Sequence, residues 1–108
     1  MADYLFASGF TILGRNVRLG ALEIDVVARR GSLIVVVEVR TRSPRAWVPA
    51  FASVGRDKRT RLLAATDRLW RTRLHTLREV TRVRIDVAAV SFEGGRTLVH
   101  YAPGVLAR

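Results

Sequence analysis

Residues 22–41 read LEIDVVARRGSLIVVVEVRT, and this stretch decides the fold. Two runs rich in Val and Ile predict two β-strands, Leu22–Arg29 and Leu33–Thr41. Glycine at the first central position is what a type II′ turn requires, so Gly31 followed by Ser32 predicts a tight hairpin turn. The stretch therefore predicts an antiparallel pair of strands.

Three acidic residues lie within this apolar hairpin, and the turn register decides where they point. Counting back from a turn at Gly31 and Ser32 places Asp25 opposite Glu38. It also places Glu23 opposite Arg40, so that alternation puts these four side chains on one face. The other face is uniformly apolar and is predicted to belong to the core; its residues are Leu22, Ile24, Val26, Val35, Val37 and Val39. A turn at Arg30-Gly31 would place Asp25 opposite Val36, with Glu38 diagonal to it on the same face.

Acidic side chains that face one another across two strands repel, so a positive group must offset them. One candidate is a salt-bridge cluster in which Arg40 and a further arginine neutralise the acids. The other candidate is a hard divalent cation such as Mg²⁺, which prefers carboxylate oxygens and keeps several of its waters. Asp25 and Glu38, on neighbouring strands, suit such a cation. The residues alone leave both candidates open.

The rest of the chain predicts an α/β domain with a mixed sheet. The predicted elements, in order, are a helix end over residues 2–8 closed by Gly9, a strand over Phe10–Arg18, the two hairpin strands, a loop over Arg42–Phe51, a long helix from about Ser53 to Leu77, a strand over Val83–Phe92, a turn at Glu93-Gly94-Gly95 and a last strand over Thr97–Tyr101. The 108 residues suit one domain.

Charge is the strongest global signal in the sequence. Nineteen Lys and Arg residues face nine Asp and Glu residues, for a net charge of +10, which suits a polyanionic partner such as nucleic acid. The longest apolar run, Leu33–Val37, is too short to span a membrane. The absence of cysteine excludes disulfides and thiolate zinc sites and is compatible with a cytoplasmic protein.

The region of the long helix is also the most basic one. Residues 56–84 carry ten Lys or Arg residues and three acidic ones. The side chains predicted to bind nucleic acid are those of Arg42, Arg56, Lys58, Arg59, Arg68 and Arg71. Trp70 lies on the apolar stripe of the helix and is predicted to anchor the core. Trp47 lies between two prolines in the loop and is a candidate ligand contact.

An Asp, a dozen apolar-rich residues and then Glu-X-Lys at a strand end form the signature of the PD-(D/E)xK, or restriction-endonuclease-like, nuclease superfamily. More closely, the chain resembles the small bacterial YraN-like family, which is itself similar to archaeal Holliday-junction resolvases. The matching residues are Tyr4-Leu5, Gly9-Phe10, Ile12-Leu13, Arg15-Asn16, Arg18, Glu23-Ile24-Asp25, Val37-Glu38-Val39, Thr41-Arg42, Val54, Lys58 and Arg84-Ile85-Asp86-Val87. The resemblance covers residues 4 to about 90.

The resemblance implies a restriction-endonuclease-like domain over residues 1–108, with a mixed five-stranded sheet flanked by helices. It implies a Mg²⁺ or Mn²⁺ site at Asp25 and Glu38, with Glu23 nearby, and hydrolysis of phosphodiesters by a metal-activated water. DNA is the implied partner, with branched DNA as the candidate substrate. The related resolvases act as dimers, so by analogy a homodimer is a candidate here.

Departures from the family pattern bear on activity. The superfamily Lys is Arg40, which stays charged and can orient water or stabilise negative charge without taking up a proton. Lys58 is a candidate catalytic substitute for it, or else a solvated or phosphate-contacting helix residue. Leu22 replaces a Gly and crowds the site, and the loop at residues 45–54, RAWVPAFASV, replaces a more Gly-rich stretch.

A further departure concerns the first helix, which is predicted to be shortened. The Glu that the family carries there falls before Met1, so either the true start lies upstream or the site has lost a ligand. Asp86 suits a structural or a functional carboxylate, and His75 and His100 are not expected to bind zinc or act as a base.

These observations support a metal-dependent endonuclease-like protein with a compromised active site. The alternative is a non-catalytic nucleic-acid-binding module with a degenerate nuclease fold. A third hypothesis, a structural subunit that binds an acidic protein, rests on charge alone.

Overall fold

The computed structural model describes residues 1–41 and 56–104. Its elements are α1 (Ala2–Ala7), β1 (Thr11–Leu19), β2 (Leu22–Arg30), β3 (Leu33–Thr41), α2 (Arg56–Thr72), a 3₁₀ helix (Leu74–Thr76), β4 (Arg82–Glu93) and β5 (Arg96–Ala102). The strand boundaries lie within one residue of the predicted ones. The predicted loop Arg42–Phe51, Trp47 within it, and the predicted helix start at Ser53 lie outside the described residues.

Within the described part of the chain, five strands form one sheet in the order β1-β2-β3-β4-β5. β3 and β4 run parallel, and the other neighbouring strands run antiparallel. Parallel neighbours need a long connection, and α2 lies in the connection between β3 and β4. The predicted α/β class, with a mixed five-stranded sheet flanked by helices, is confirmed, and the arrangement is consistent with a restriction-endonuclease-like sheet.

The central hairpin has the predicted register, with Arg30 paired to Leu33 and Val26 paired to Val37. Gly31 adopts a φ of +60°, a left-handed value that glycine reaches without steric strain. The first of the two possible turns in the sequence is therefore the correct one.

Apolar side chains cover both faces of the sheet. The α2-side core is the cluster beneath α2, formed by Leu19, Ile24, Val27, Ile34, Val36, Leu62, Ala65, Leu69, Leu74, Ile85 and Val87. The α1-side core is the cluster beneath α1, formed by Leu5, Phe10, Val26, Ala28, Val35, Val37 and Ala88. Trp70 packs against the α2-side core, which confirms its predicted role as a core residue.

The prediction that Leu22, Ile24 and Val26 share one face is wrong. Leu22 and Ile24 pack with the α2-side core, whereas Val26 belongs to the α1-side core. Strict alternation therefore breaks at the residue between them, Asp25. Opposite this break on β1, Asn16 adopts a φ of +51°, so the irregularity involves both strands.

The predicted helix end at Leu77 is also wrong, because α2 ends at Thr72. The backbone leaves the helical conformation at Arg73, where φ is −133°, and continues as the 3₁₀ helix. This change directs Leu74, which is 4% exposed, into the α2-side core. The apolar spacing thus persists beyond the helix, and the sequence pattern does not reveal where the helix stops.

No helix in residues 1–41 or 56–104 has the length and hydropathy needed to cross a membrane.

Candidate active site

Glu38 is a buried carboxylate near the C-terminal end of β3. Its neighbours Val37 and Val39 pack on the α1 side of the sheet, so Glu38 points to the α2 side, where its side chain is 7% exposed. Burial raises the pKa of the Glu38 carboxyl above its ordinary value, because the charged form loses water. A hydrogen bond from Lys58 opposes this rise, and the negative charge of Asp25 adds to it.

Lys58 supplies the positive charge closest to this carboxylate among the described ion pairs. Its Nζ lies 3.0 Å from Oε1 of Glu38, and its side chain remains 41% exposed. Lys58 lies in the first turn of α2, which packs over the sheet face that carries Glu38. The structure thus places Lys58 beside Glu38, where a catalytic replacement for the superfamily Lys would have to lie, and leaves its side chain accessible to solvent.

Arg40 lies two residues after Glu38 on the same strand and is half-buried. Its positive charge lowers the pKa of Glu38, in the same direction as the charge of Lys58. Two basic side chains from different elements therefore act on one carboxylate.

Asp25 is held at the break in β2. Backbone pairing between β2 and β3 runs from Arg30 to Val26, and beyond it the backbone N–H of Val39 donates a 2.8 Å hydrogen bond to Oδ2 of Asp25. The side chain thus replaces a backbone acceptor where the two strands separate. Asp25 and Glu38 lie on neighbouring antiparallel strands, and the charge of Asp25 acts on Glu38. The structure does not reproduce the predicted shared face at Asp25, because Asp25 lines a depression with Met1 and Val39, which pack on the α1 side, whereas Glu23 and Glu38 line a pocket beneath α2.

Glu23 forms an ion pair with an arginine of β1. Its Oε2 lies 3.7 Å from Nη2 of Arg18 on β1, and both side chains are exposed. A surface ion pair of this kind contributes little to stability. Glu23 therefore lies at the rim of the site, with its charge directed toward β1.

A surface pocket of about 140 Å³, termed the Glu38 pocket, joins several of these residues. Its lining includes Leu22, Glu23, Glu38, Lys58, Arg61 and Leu62. Arg61 was not among the sequence-predicted site residues, although its spacing of three from Lys58 places both on one side of a helix. Leu22 also lines the pocket.

The carboxylates are of the type that binds a divalent cation, but the number of available ligands is small. The described residues contain no group of three or more His, Cys, Asp or Glu side chains placed to hold a metal ion. Mg²⁺ is often held by only one or two carboxylates and completes its shell with water and phosphate oxygens. Glu38 is the buried carboxylate of the Glu38 pocket and suits such a water-rich site, whereas Asp25 lines the separate depression and Glu23 is paired with Arg18.

The predicted phosphate-contacting arginines lie mainly along α2. Arg59, Arg68 and Arg71 are exposed. Arg68 donates a 3.3 Å hydrogen bond to the carbonyl of Leu19, and Arg71 pairs with Asp67 at 2.9 Å. Arg42 and the side chain of Arg56 lie outside the described part of the structure.

Asp86 belongs to a structural network on the other face of the sheet. It is fully buried, and Arg84 donates to both of its oxygens at 2.9 and 3.1 Å. The hydroxyl of Tyr101 and the backbone N–H of Gly104 donate to it as well. Burial, together with the bond to Asp86, raises the pKa of Tyr101. These contacts assign Asp86 a structural role, since its hydrogen-bonding capacity is used to tie β5 to β4.

Comparison with known proteins connects this geometry to a family. A family model described as "Uncharacterised protein family UPF0102" matches residues 1–90. A UPF0102 protein of Sorangium cellulosum is 47% identical over 89 residues, which cover 82% of this chain and 62% of the relative. The chain thus spans less than two thirds of that relative's length. A UPF0102 protein of Streptomyces coelicolor is 40% identical over 106 residues, covering 96% of this chain and 80% of the relative.

Proposed function

We propose that this chain, which belongs to the UPF0102 family, binds nucleic acid and promotes slow, metal-assisted hydrolysis of phosphodiesters at the Glu38 pocket. The nucleic acid is DNA, and the resemblance to resolvases favours branched DNA. Such a partner places the protein in the cytoplasm, in agreement with its lack of cysteine.

The observation that carries this proposal is the ion pair between buried Glu38 and half-exposed Lys58 in a surface pocket. A charged carboxylate that is buried requires a positive group beside it, and Nζ of Lys58 lies 3.0 Å from Oε1 of Glu38. Because the lysine is still partly exposed, its ammonium can also reach a phosphate oxygen that enters the pocket. The net charge of +10 draws a polyanion toward the same surface.

Each residue of the site has a distinct task in this proposal. Glu38 would hold Mg²⁺ or Mn²⁺ in the Glu38 pocket, and Asp25, whose negative charge acts on Glu38 from the neighbouring strand, would add to the attraction for the cation. When bound, the metal would supply positive charge at the phosphate and activate water. The N–H of Val39 fixes one oxygen of Asp25 and so orients the carboxylate. Arg40 stabilises the negative charge that develops on the phosphate, and Arg61, which lines the pocket, binds the phosphate backbone.

The same residues account for slow turnover. Arg40 cannot take up a proton from water, because a guanidinium stays charged at all ordinary pH values. Lys58 is engaged by Glu38 at 3.0 Å, so its ammonium is directed at the carboxylate and not at an attacking water. Two carboxylates also hold a cation less firmly than three do.

A second function, a non-catalytic nucleic-acid-binding module, has its own supporting observation. Lys58 already provides a positive charge for Glu38, so the carboxylate is stable without a metal ion. In this alternative the Glu38–Lys58 pair is structural, and the basic surface alone provides the activity.

The deciding experiment measures binding and cleavage with the same labelled substrates. A four-way DNA junction and a linear duplex are titrated with the full chain at several salt concentrations, and cleavage is followed with Mg²⁺ or Mn²⁺. We expect salt-dependent binding, slow metal-dependent cleavage, and loss of cleavage but not of binding in Glu38→Gln. Glu79→Gln, an exposed acid away from the pocket, is the matched control.

Binding without any cleavage would favour the non-catalytic alternative. Cleavage that is independent of Asp25 and Glu38 would show that the chemistry lies elsewhere in the chain. Absence of salt-dependent binding to either DNA would contradict both functions.

A further inference from the structure

A second pocket, of about 200 Å³, opens on the α1 side of the sheet, the face opposite the Glu38 pocket. Its lining includes Tyr4, Ser8, Phe10, Arg30, Arg84 and Tyr101. We term it the aromatic pocket. None of the residues assigned to the Glu38 pocket lines it, so its composition calls for a separate explanation.

Arg30 brings a fixed positive charge to this pocket. Its guanidinium lies 4.6 Å from the centre of the Phe10 ring, in a cation–π contact, and Nη1 donates a 3.2 Å hydrogen bond to the carbonyl of Ser8. Within residues 1–41 and 56–104, Arg30 makes no ion pair with a carboxylate. Both of its described partners are uncharged, so its charge is oriented and not neutralised.

Arg84 is restrained in a different way. It donates from Nε and Nη2 to the buried carboxylate of Asp86, which neutralises its charge. Because Asp86 also accepts from Tyr101, the guanidinium and the phenol are fixed relative to each other. This side of the pocket is therefore rigid, and Arg30 supplies its net positive charge.

Two tyrosine rings complete the pocket. Tyr4 and Tyr101 are stacked, with centroids 5.5 Å apart and planes inclined by 26°. Tyr4 is 42% exposed, so part of its ring still faces solvent. Nearly parallel rings at the wall of a pocket present a flat π surface, which favours another flat aromatic group.

We infer that the aromatic pocket binds an unpaired nucleotide of a nucleic-acid strand, with the base stacked on the tyrosines and the adjoining phosphate on Arg30. Aromatic side chains stack on exposed bases, and arginine binds phosphate through several parallel N–H donors. An acidic peptide would use Arg30 but has no need for the rings. This inference rests on the nucleic-acid partner of the proposed function and does not depend on hydrolysis.

The test compares two single-stranded probes that differ only in their bases. Fluorescein-labelled oligothymidylate and an abasic strand of the same length are titrated with the full chain in fluorescence anisotropy. We expect oligothymidylate to bind more tightly than the abasic strand. A base–aromatic contact typically changes affinity by a factor of roughly 5 to 150, which sets the size of the expected difference.

Variants assign the difference to this pocket. Tyr4→Ala should weaken oligothymidylate binding about tenfold, at the lower end of stacking effects, and leave abasic binding unchanged. Tyr4→Phe, which keeps the ring, should bind as the original chain does. Arg30→Gln should weaken binding of both probes, because both carry the phosphate. Phe6→Ala is the matched control, since Phe6 is an exposed aromatic residue of the same helix outside this pocket.

Photocrosslinking gives a readout that does not depend on affinity. A strand that contains 5-iododeoxyuridine should crosslink to the peptide that carries Tyr4 or Tyr101. Equal binding of the two probes, equal effects of Tyr4→Ala and Phe6→Ala, or crosslinks confined to α2 would overturn the inference. Because this site is judged by binding of oligothymidylate and the catalytic proposal by metal-dependent cleavage of the junction, failure of one is distinguishable from failure of the other.

Discussion

At the scale of single residues, Glu38 shows how a charge is tolerated in an apolar sheet. The carboxylate lies beneath α2, and the ammonium that accompanies it comes from α2 itself, so the packing of α2 on the sheet both buries Glu38 and brings its partner to it. Removing one member of a buried pair leaves the other without compensation, which is usually worse than never having had the pair. The exposure of Lys58 moderates this penalty, since water reaches one side of the pair.

Replacing Lys58 by Met should destabilise the fold by about 1–2 kcal/mol at neutral pH, less than for a fully buried pair because Lys58 is partly exposed. The pKa of Glu38 is raised in the folded state, so the free energy of unfolding decreases as the pH rises from the ordinary glutamate pKa through the raised pKa of Glu38. Loss of Lys58 raises the pKa of Glu38 further and so enlarges this decrease. On acidification Glu38 becomes protonated, and the destabilisation should shrink. Urea unfolding of the variant at pH 5 and pH 8 measures this.

Glu38→Gln is the partner variant in this measurement. The double variant with Lys58→Met should be no less stable than Lys58→Met alone, because a neutral amide needs no counter-charge. A pH-independent loss in Lys58→Met would instead indicate lost packing of the lysine stem.

Arg40→Lys should raise metal-dependent cleavage, because lysine can exchange a proton with water and arginine cannot. General-base assistance contributes a factor of roughly 10² to 10⁴, so an increase of tenfold or more is expected even with imperfect positioning. Asp25→Ala should abolish the cleavage. Single-turnover rates on a labelled junction at fixed Mg²⁺ give the comparison, with Arg96→Lys, at the β4–β5 hairpin, as the matched exchange. A rate for Arg40→Lys equal to the original would remove Arg40 from the chemistry.

At the scale of elements, local patterns predicted what depends on local chemistry. The Gly31-Ser32 turn and the alternation of β3 could be predicted from the sequence, because a turn residue and a period of two fix the strand register. The break at Asp25 could not be predicted, since Leu22, Ile24 and Val26 follow a regular alternation in the sequence. The break depends on the hydrogen bond from the Val39 N–H to Asp25 and on the left-handed backbone of Asn16 on the neighbouring strand. Lys58 was predicted as a candidate for the site and Arg61 was not. Which residues of α2 face Glu38 is decided by how the helix packs on the sheet, and the sequence of the helix does not specify this packing.

The turn between the 3₁₀ helix and β4 contains a strained residue. Glu79 adopts a φ of +65°, a left-handed conformation that is unfavourable for a residue with a Cβ by roughly 1–2 kcal/mol. Glu79→Gly should therefore stabilise the fold by up to about 1 kcal/mol, after the greater entropy of glycine in the unfolded chain is subtracted. Thermal and urea unfolding measure the change. Glu79→Ala, which keeps the Cβ, should give no such gain, and a similar gain in both variants would assign the effect to charge.

At the scale of the whole molecule, the charge is distributed around the sheet and not confined to one pocket. Exposed arginines line α2 above the Glu38 pocket, and Arg30 lies at the aromatic pocket on the other face. A nucleic acid that reached both pockets would have to pass around an edge of the sheet. A junction or a partly unpaired strand can follow such a path more easily than a straight duplex can, because it bends at the branch.

Reversing the charge of Arg59 and Arg71 together should weaken duplex binding equally for unrelated sequences. Each phosphate contact that is lost should reduce the slope of log affinity against log salt by about 0.9. Duplex titrations at several salt concentrations, with both arginines changed to Glu, measure that slope. Arg78 and Arg96, both exposed and away from α2, provide a control with the same change in net charge. Equal effects of the two pairs would show that only overall charge matters.

The parallel pairing of β3 with β4 has a consequence for how the chain folds. Its partners, such as Leu33 and Arg82, are about fifty residues apart, whereas each hairpin joins residues that are close along the chain. Closing so long a loop reduces chain entropy before any contact forms, so we expect the hairpins to assemble early and the β3–β4 ladder to form late. Until then β3, whose residues Ile34–Val37 are fully buried in the native state, presents an unpaired apolar edge. Such an edge can pair with another chain, so slow synthesis or weakened β4 pairing should increase aggregation.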